Sequence, residues 1–260
     1  MSKLGLGITK RDHKTYNPDD FPDVFMFTLS DIDTVYTGSE LCAVGDVITA
    51  VTNSLSDTLY PFKQTTDASR PLYQKYSGSN DYYYAFDGTD DFLIISGVDD
   101  PTLEGNDYTI FCEYMMNTKT SEAGLGTLYG VQHQVAAGGR SGMFLRVSSS
   151  AEPLTFFTAI NGTNWESATS SYKPAEGQWH KVLIKKEGVY GKIYIDGVFD
   201  NDITYSNATV NYQAATDVKT TLGSRFLIAA NDKFFEGNVK QFAYGSSSLP
   251  DRDCIRLTRL

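Results

Sequence analysis

Three aspartates crowd one short stretch of this chain. Asp87, Asp90 and Asp91 stand in "FDGTDDF" (86–92), between the runs "YYYAF" and "FLIIS". Carboxylates on such a turn could do one of three things. They could gather a hard cation, because Ca2+ takes six to eight oxygens from carboxylates, carbonyls and water. They could act as general acid and base, which for glycoside hydrolysis needs two carboxyls roughly 5 to 10 Å apart across a sugar. Or they could shape the turn itself, since Asp side chains accept hydrogen bonds from backbone N–H groups nearby. Asp90 and Asp91 are adjacent, and adjacent residues of an extended chain point to opposite faces, which counts against an acid/base pair.

A second group could hold a sugar. "AINGTNWESATSSYKP" (159–174) offers Trp165, Asn164 and Tyr172 in a polar stretch. Aromatic faces stack on the apolar face of a sugar while amide and phenol groups bond its hydroxyls. Equally, Trp165 could cover the edge of a β-sandwich, and the sequence leaves both readings open. The histidines offer less: His13 lies among basic residues, His133 in a Gly-rich region, and His180 beside Trp179. "GLGTLYG" (124–130) and "AAGGRSG" (136–142) open no helix, so they read as loops rather than phosphate cradles. Cys42, Cys112 and Cys254 lack CxxC spacing and imply neither a disulfide framework nor a zinc site.

The elements that must position these groups read as β-strands. Over 260 residues, 41% are hydrophobic and 21% charged, with 17 Tyr and 15 Phe against 8 Pro, a composition rich in strand formers. From about residue 80 short apolar runs recur between Gly/Asn/Asp punctuation: "DFLIIS", "YTIFCEYMM", "GMFLRVSS", "LTFFTAI", "HKVLIKKE", "KIYIDGV", "RFLIAA" and "NVKQFAYG". "KKEGVYGKIYIDG" predicts a hairpin, followed by a tight turn at Asp196-Gly197. Upstream, "DVFMFTL" reads as a strand and "ELCAVGDVITAVTN" as a pair broken at Gly45-Asp46. One helix is predicted at the end, where Asp251 follows Pro250 and Ile255, Leu257 and Leu260 form a partial apolar stripe.

Charge and hydropathy exclude some functions. The net charge of −10 argues against nucleic-acid binding, which needs a basic surface to meet phosphates. Within it, residues 1–14 carry Lys3, Lys10, Arg11 and Lys14 against Asp12, a basic arm ahead of an acidic body. "MSKLGLGITKRDHK" lacks the apolar core of a signal peptide, and nowhere do 18 apolar residues run together, so no membrane insertion is expected.

From "FDGTDDFLIIS" onward the chain resembles the concanavalin A-like lectin/laminin-G-like jelly-roll superfamily. "GQWHKVLIKKEGVYGKIYIDGVF" (177–199) is similar to that family's W-H-x-V strand, hairpin and Y-x-D-G turn, and "FFEGNVKQFAYGSSSLPDRDCIRL" (234–257) to its closing strand and helix entry. "DVFMFTLSDID" through "TTDASRPLYQ" resembles the leader that precedes such domains in phage and bacterial surface proteins, without the usual Trp-Asp pairs. The resemblance implies an all-β, two-sheet antiparallel sandwich with an N-terminal extension: a basic arm over 1–20, leader strands and loops over 21–80, and the jelly roll over 81–260. It also implies a structural calcium at Asp87, Asp90 and Asp91, often helped by an acid in the closing strand. Here Lys240 and Gln241 occupy that strand, which favours the plain turn. The E-x-D-x-x-E string of the family's glucanases is absent.

The resulting expectation is a non-enzymatic virion surface protein of a phage, made in the host cytoplasm: a decoration, fibre or adhesion component. Its partners would be other virion subunits, itself as a trimer, and a host-surface glycan. A free-standing carbohydrate-binding module or lectin is the alternative, and a glycan-active enzyme a more distant one.

Overall fold

The computed structural model describes residues 24–28, 35–37, 39–51, 62–78, 82–96, 106–117, 125–132, 142–148, 153–160, 164–210, 219–227, 230–245 and 247–260. The basic arm, His13, His133 and most of "AAGGRSG" lie outside them. Two antiparallel sheets carry the fold, their strands numbered in chain order. The first runs β16 (Val198–Thr204), β15 (Tyr190–Ile195), β14 (Trp179–Glu187), β9 (Tyr108–Met116), β20 (Glu236–Gly245), β7 (Tyr82–Asp87), β6 (Leu72–Lys75), with β1 (Val24–Thr28) also pairing β20. The second runs β13 (Trp165–Thr169), β12 (Thr155–Ala159), β11 (Gly142–Ser148), β10 (Leu125–Gln132), β17 (Lys219–Leu222), β8 (Leu93–Ser96), β5 (Phe62–Lys63), β4 (Ala50–Val51), β2 (Val35–Thr37), β3 (Glu40–Leu41).

Side-chain alternation explains the core. Tyr84, Phe86, Ile110, Cys112, Tyr114, Val182, Ile184, Ile193 and Phe242 of the first sheet meet Leu93, Ile95, Tyr129, Leu145, Phe156 and Leu222 of the second, all buried. Phe242 packs with Tyr129 at 4.8 Å and edge-on with Phe62 at 5.8 Å. Such apolar burial is the main term holding the sheets together. "YTIFCEYMM" is apolar on both faces because both are covered: the intervening Phe111, with Leu183, Tyr194 and Ala243, packs under Leu249 and helix α1 (Asp251–Leu257) through Cys254 and Leu257. The helix buries Cys254 and Leu257, with Ile255 partly covered. Leu260, assigned to the apolar stripe by sequence, lies beyond the helix and is 73% exposed.

Two strand readings are corrected. "GLGTLYG" is no loop: it forms most of β10, in the middle of the second sheet between β11 and β17. Gly126 reflects crowding, because a Cβ there would lie 3.0 Å from the Phe235 Cα and 3.1 Å from the Phe234 carbonyl oxygen. "RFLIAA" is no single strand but contributes to the hairpin of β18 (Arg225–Leu227) and β19 (Ala230–Asp232), paired Leu227 to Ala230. All three cysteines are buried free thiols, and among the described residues no helix is long and apolar enough to cross a membrane.

Candidate functional site

The acidic turn follows β7. Asp87 Oδ1 accepts the N–H groups of Thr89 (2.7 Å) and Asp90 (3.3 Å), and Asp91 Oδ2 accepts the Asp87 N–H at 2.9 Å. The Ser69 hydroxyl donates to Asp90 Oδ2 at 3.5 Å. Asp87 and Asp91 therefore each spend one oxygen on the turn, and Asp90 one on Ser69. Carboxylate oxygens of all three residues also lie within 4.8 Å of one another. Asp91 is buried, and that burial, then the charges of Asp87 and Asp90, push its carboxyl up to about 6 against the pull of the Asp87 N–H. Three carboxylates with one convergent oxygen each are a donor set that a hard dication accepts, completing its shell with water and carbonyls. The closing strand does carry an acid, Glu236, although its carboxylate is not among the three that converge. The strand starts two residues before "NVKQFAYG", and Glu236 stands opposite Asp87 in register. Lys240 instead pairs with Glu113 at 3.4 Å and lies 5.9 Å over the Trp179 ring.

The sugar-binding candidates separate. Trp165 opens β13, paired to Ala159 and half-buried with its ring edge-on to Phe144 at 5.1 Å. Asn164 is exposed beside it. Tyr172 lies beyond the other end of β13, and that end, Thr169, is itself about 13 Å from Trp165 by the ordinary strand rise. Between them, β13, the edge of the second sheet, is stitched to β16, the edge of the first. Ser206 donates through its N–H (2.9 Å) and its hydroxyl to Glu166, and Asn201 Nδ2 donates to the Thr169 carbonyl at 2.6 Å.

Tyr172 meets a cleft of about 430 Å³ where this seam ends, lined by Ser171, Tyr172, Ile195, Asp196, Val198, Phe199 and Asp200. One wall is the β15–β16 hairpin. Its two-residue turn needs positive φ at both centres, supplied by Asp196 (φ 50°) and Gly197 (φ 83°) between the paired Ile195 and Val198. Next, Tyr194 pairs with Phe199 but Ile193 with Asn201, so Asp200 is an extra residue on β16. Such a bulge re-aims a side chain. Asp200 reaches the facing loop: its Oδ1 accepts the Ser171 hydroxyl (2.6 Å) and the Tyr172 N–H (3.1 Å), and its Oδ2 accepts the Ser171 N–H (3.1 Å).

Asp196 is equally fixed. Its Oδ1 accepts the Lys181 N–H at 2.8 Å and its Oδ2 is 2.7 Å from His180 Nδ1, while His180 Nε2 is 3.2 Å from the Ala175 carbonyl. Thr258 Oγ1 accepts the Gly197 N–H at 3.2 Å, and a Cβ on residue 197 would strike the Arg259 side chain, so the turn is buttressed by the residues after α1. On this frame stand three exposed apolar groups, Tyr172 (44%), Phe199 (45%) and Val198 (64%). Rings on a rigid scaffold beside fixed polar groups are what a small-ligand site needs. Of these residues Tyr172 is legible in the sequence. Phe199 and Asp200 are not: the apolar Val198-Phe199 pair directly after the Asp196-Gly197 turn is the signal for the ring, and Asp200 has none.

The acidic turn cannot touch a ligand in this cleft: β7 and β16 are five strand spacings apart, about 24 Å.

Several solved structures share the fold. Domain 4 of AbnA, a GH43 extracellular arabinanase from Geobacillus stearothermophilus solved with arabinotriose, aligns at 12% identity and TM-score 0.56 over 90% of this chain and 97% of that one. The CBM40 of the Ruminococcus gnavus IT-sialidase, bound to α2,3 sialyllactose, aligns at 13% and 0.54 over 65% and 98%. The botulinum neurotoxin serotype G binding domain aligns at 11% and 0.55 over 86% and 49%. At these identities the likeness is one of fold. No curated protein sequence matches the chain. A family model does: it covers residues 65–252, from the strands that lead into the acidic turn to the first residues of α1, and by that match the chain belongs to the concanavalin A-like lectin/glucanases superfamily.

Proposed function

We propose that this chain is a non-enzymatic glycan-binding module that takes a sugar in the Tyr172 cleft, and that it serves on the surface of a phage virion. The carrying observation is the pair of exposed rings, Tyr172 and Phe199, held beside two carboxylates whose every oxygen already accepts a hydrogen bond. Carboxylates so engaged act as struts and acceptors; a glycosidase needs one free to protonate and one to attack or activate water. Two relatives in fold were solved with bound sugars, sialyllactose and arabinotriose, which supports the reading. The virion role rests on the leader resemblance over "DVFMFTLSDID" to "TTDASRPLYQ", and other virion subunits would be the partners there. Calcium, when bound, would be held by Asp87, Asp90 and Asp91 and would neutralise the turn after β7.

A glycan array tests the module. Tyr172→Ala abolishes binding while Trp165→Ala leaves it intact; the reverse pattern moves the site to the Trp165 end of β13, and no bound glycan refutes the reading. Mass spectrometry of purified particles tests the virion role, which fails if the chain is absent.

A further inference from the structure

Resting on the glycan reading, we infer that the cleft selects uncharged sugars and rejects sugars bearing a carboxylate. Its lining contains Asp196 and Asp200 and neither lysine nor arginine. Two cations lie near the lining without belonging to it: Lys181 directs its ammonium to the Arg259 carbonyl at 2.9 Å and toward Glu113 at 3.8 Å, and Arg259 packs its side-chain stem against Gly197. An anionic ligand would thus approach two carboxylates at a half-open site with no lining cation to receive it.

Hydrogen-bond capacity points the same way. A carboxylate oxygen has two lone pairs. Asp200 Oδ1 uses both, on the Ser171 hydroxyl and the Tyr172 N–H. Asp200 Oδ2 uses one on the Ser171 N–H, Asp196 Oδ1 one on the Lys181 N–H, and Asp196 Oδ2 one on His180. What remains at the polar wall is acceptor capacity. Sugar hydroxyls can donate to it; a ligand carboxylate cannot. The Ser171 hydroxyl is already committed to Asp200, so the Tyr172 phenol is the one side-chain donor of the lining left for a ligand, and it carries no charge to hold a carboxylate. Val198, Phe199 and Ile195 supply apolar surface that suits a pyranose or furanose C–H face and gives a charged group nothing.

The test compares neutral glycans with their carboxylated counterparts on the whole chain, lactose against sialyllactose among them, by array and by calorimetry at low and high salt. Neutral forms are expected to bind about tenfold or more tightly than acidic ones at low salt, the gap narrowing at high salt as screening grows. Asp200→Asn, which keeps the acceptor geometry at Oδ1 and removes the charge, should narrow the gap at low salt. If an acidic sugar binds as tightly as its neutral counterpart and Tyr172→Ala abolishes that binding, the charge selection is wrong while the glycan site stands. If no sugar of either class binds, the glycan reading and the selection fall together.

Discussion

Replacing Lys186 with methionine should unfold the hairpin end of the sandwich long before the rest of its chemistry is disturbed. Lys186 lies on β14 with 0% exposure, and its ammonium donates to the carbonyls of Asn106 (2.8 Å), Gly188 (2.6 Å) and Ala208. The Tyr205 ring lies 5.8 Å away. One cation thus ties together the approach to β9, the β14–β15 hairpin and the loop after β16. Each hydrogen bond to a charged donor contributes roughly 1.5 to 3 kcal/mol, and burying the ammonium costs several kcal/mol in return. Methionine fills the volume but leaves three carbonyls without that donor, so the net loss should be about 3 to 5 kcal/mol, a Tm fall of about 10 °C for a chain this size. Urea unfolding followed by tryptophan fluorescence measures it. A pH arm adds a sign. Burial lowers the Lys186 pKa, so the unfolded chain holds the proton more firmly than the folded one. Relative to Lys186→Met, wild-type stability should therefore rise as pH climbs from the lowered folded value toward the usual lysine value. A methionine variant as stable as wild type at pH 7 would show that the three loops hold themselves and that the ammonium is incidental.

Two further predictions concern the acidic turn and β10. Asp91 keeps its proton more tightly folded than unfolded, so metal-free protein should lose stability as pH rises from about 4 to about 6, and Asp91→Asn should recover about 1 to 2 kcal/mol at pH 7 and nothing at pH 3.5. Calcium reverses that sign: if EDTA lowers Tm and Asp91→Asn is destabilising with calcium present, the turn is a metal site; if EDTA changes nothing, the aspartates serve the turn alone. Gly126→Val should cost about 2 to 3 kcal/mol, because the obstructing atoms belong to the backbone of Phe234 and Phe235 and cannot swing aside; an unperturbed melting curve would refute the crowding.

Much of the fold could be read from local pattern. "YTIFCEYMM" is β9 to the residue, the Asp196-Gly197 turn follows from the positive φ that a two-residue hairpin demands, and α1 starts where Asp251 follows Pro250. What escaped depends on distant chain. β10 looks like a loop until Gly126 is seen against the Phe234–Phe235 backbone more than a hundred residues later. The β18–β19 hairpin turns within an apolar run that carries no glycine or proline to announce it. The cleft is assembled from a loop after β13 and a bulge on β16, and a bulge is a property of register between two strands rather than of either sequence. Tyr172 and the Asp196-Gly197 turn are therefore visible in the sequence, but not that they share a cleft with Phe199 and Asp200.

The seam between β13 and β16 has a consequence for crowded settings. Edge strands display unpaired backbone groups that invite strands from other molecules, and repeated display on one particle multiplies the invitation. Here Glu166, Ser206, Asn201 and Asp200 lace the two edges of this flank to each other through side chains, which leaves a foreign strand little room to add. Neighbouring copies can then stand side by side without fusing their sheets along the flank that carries the cleft.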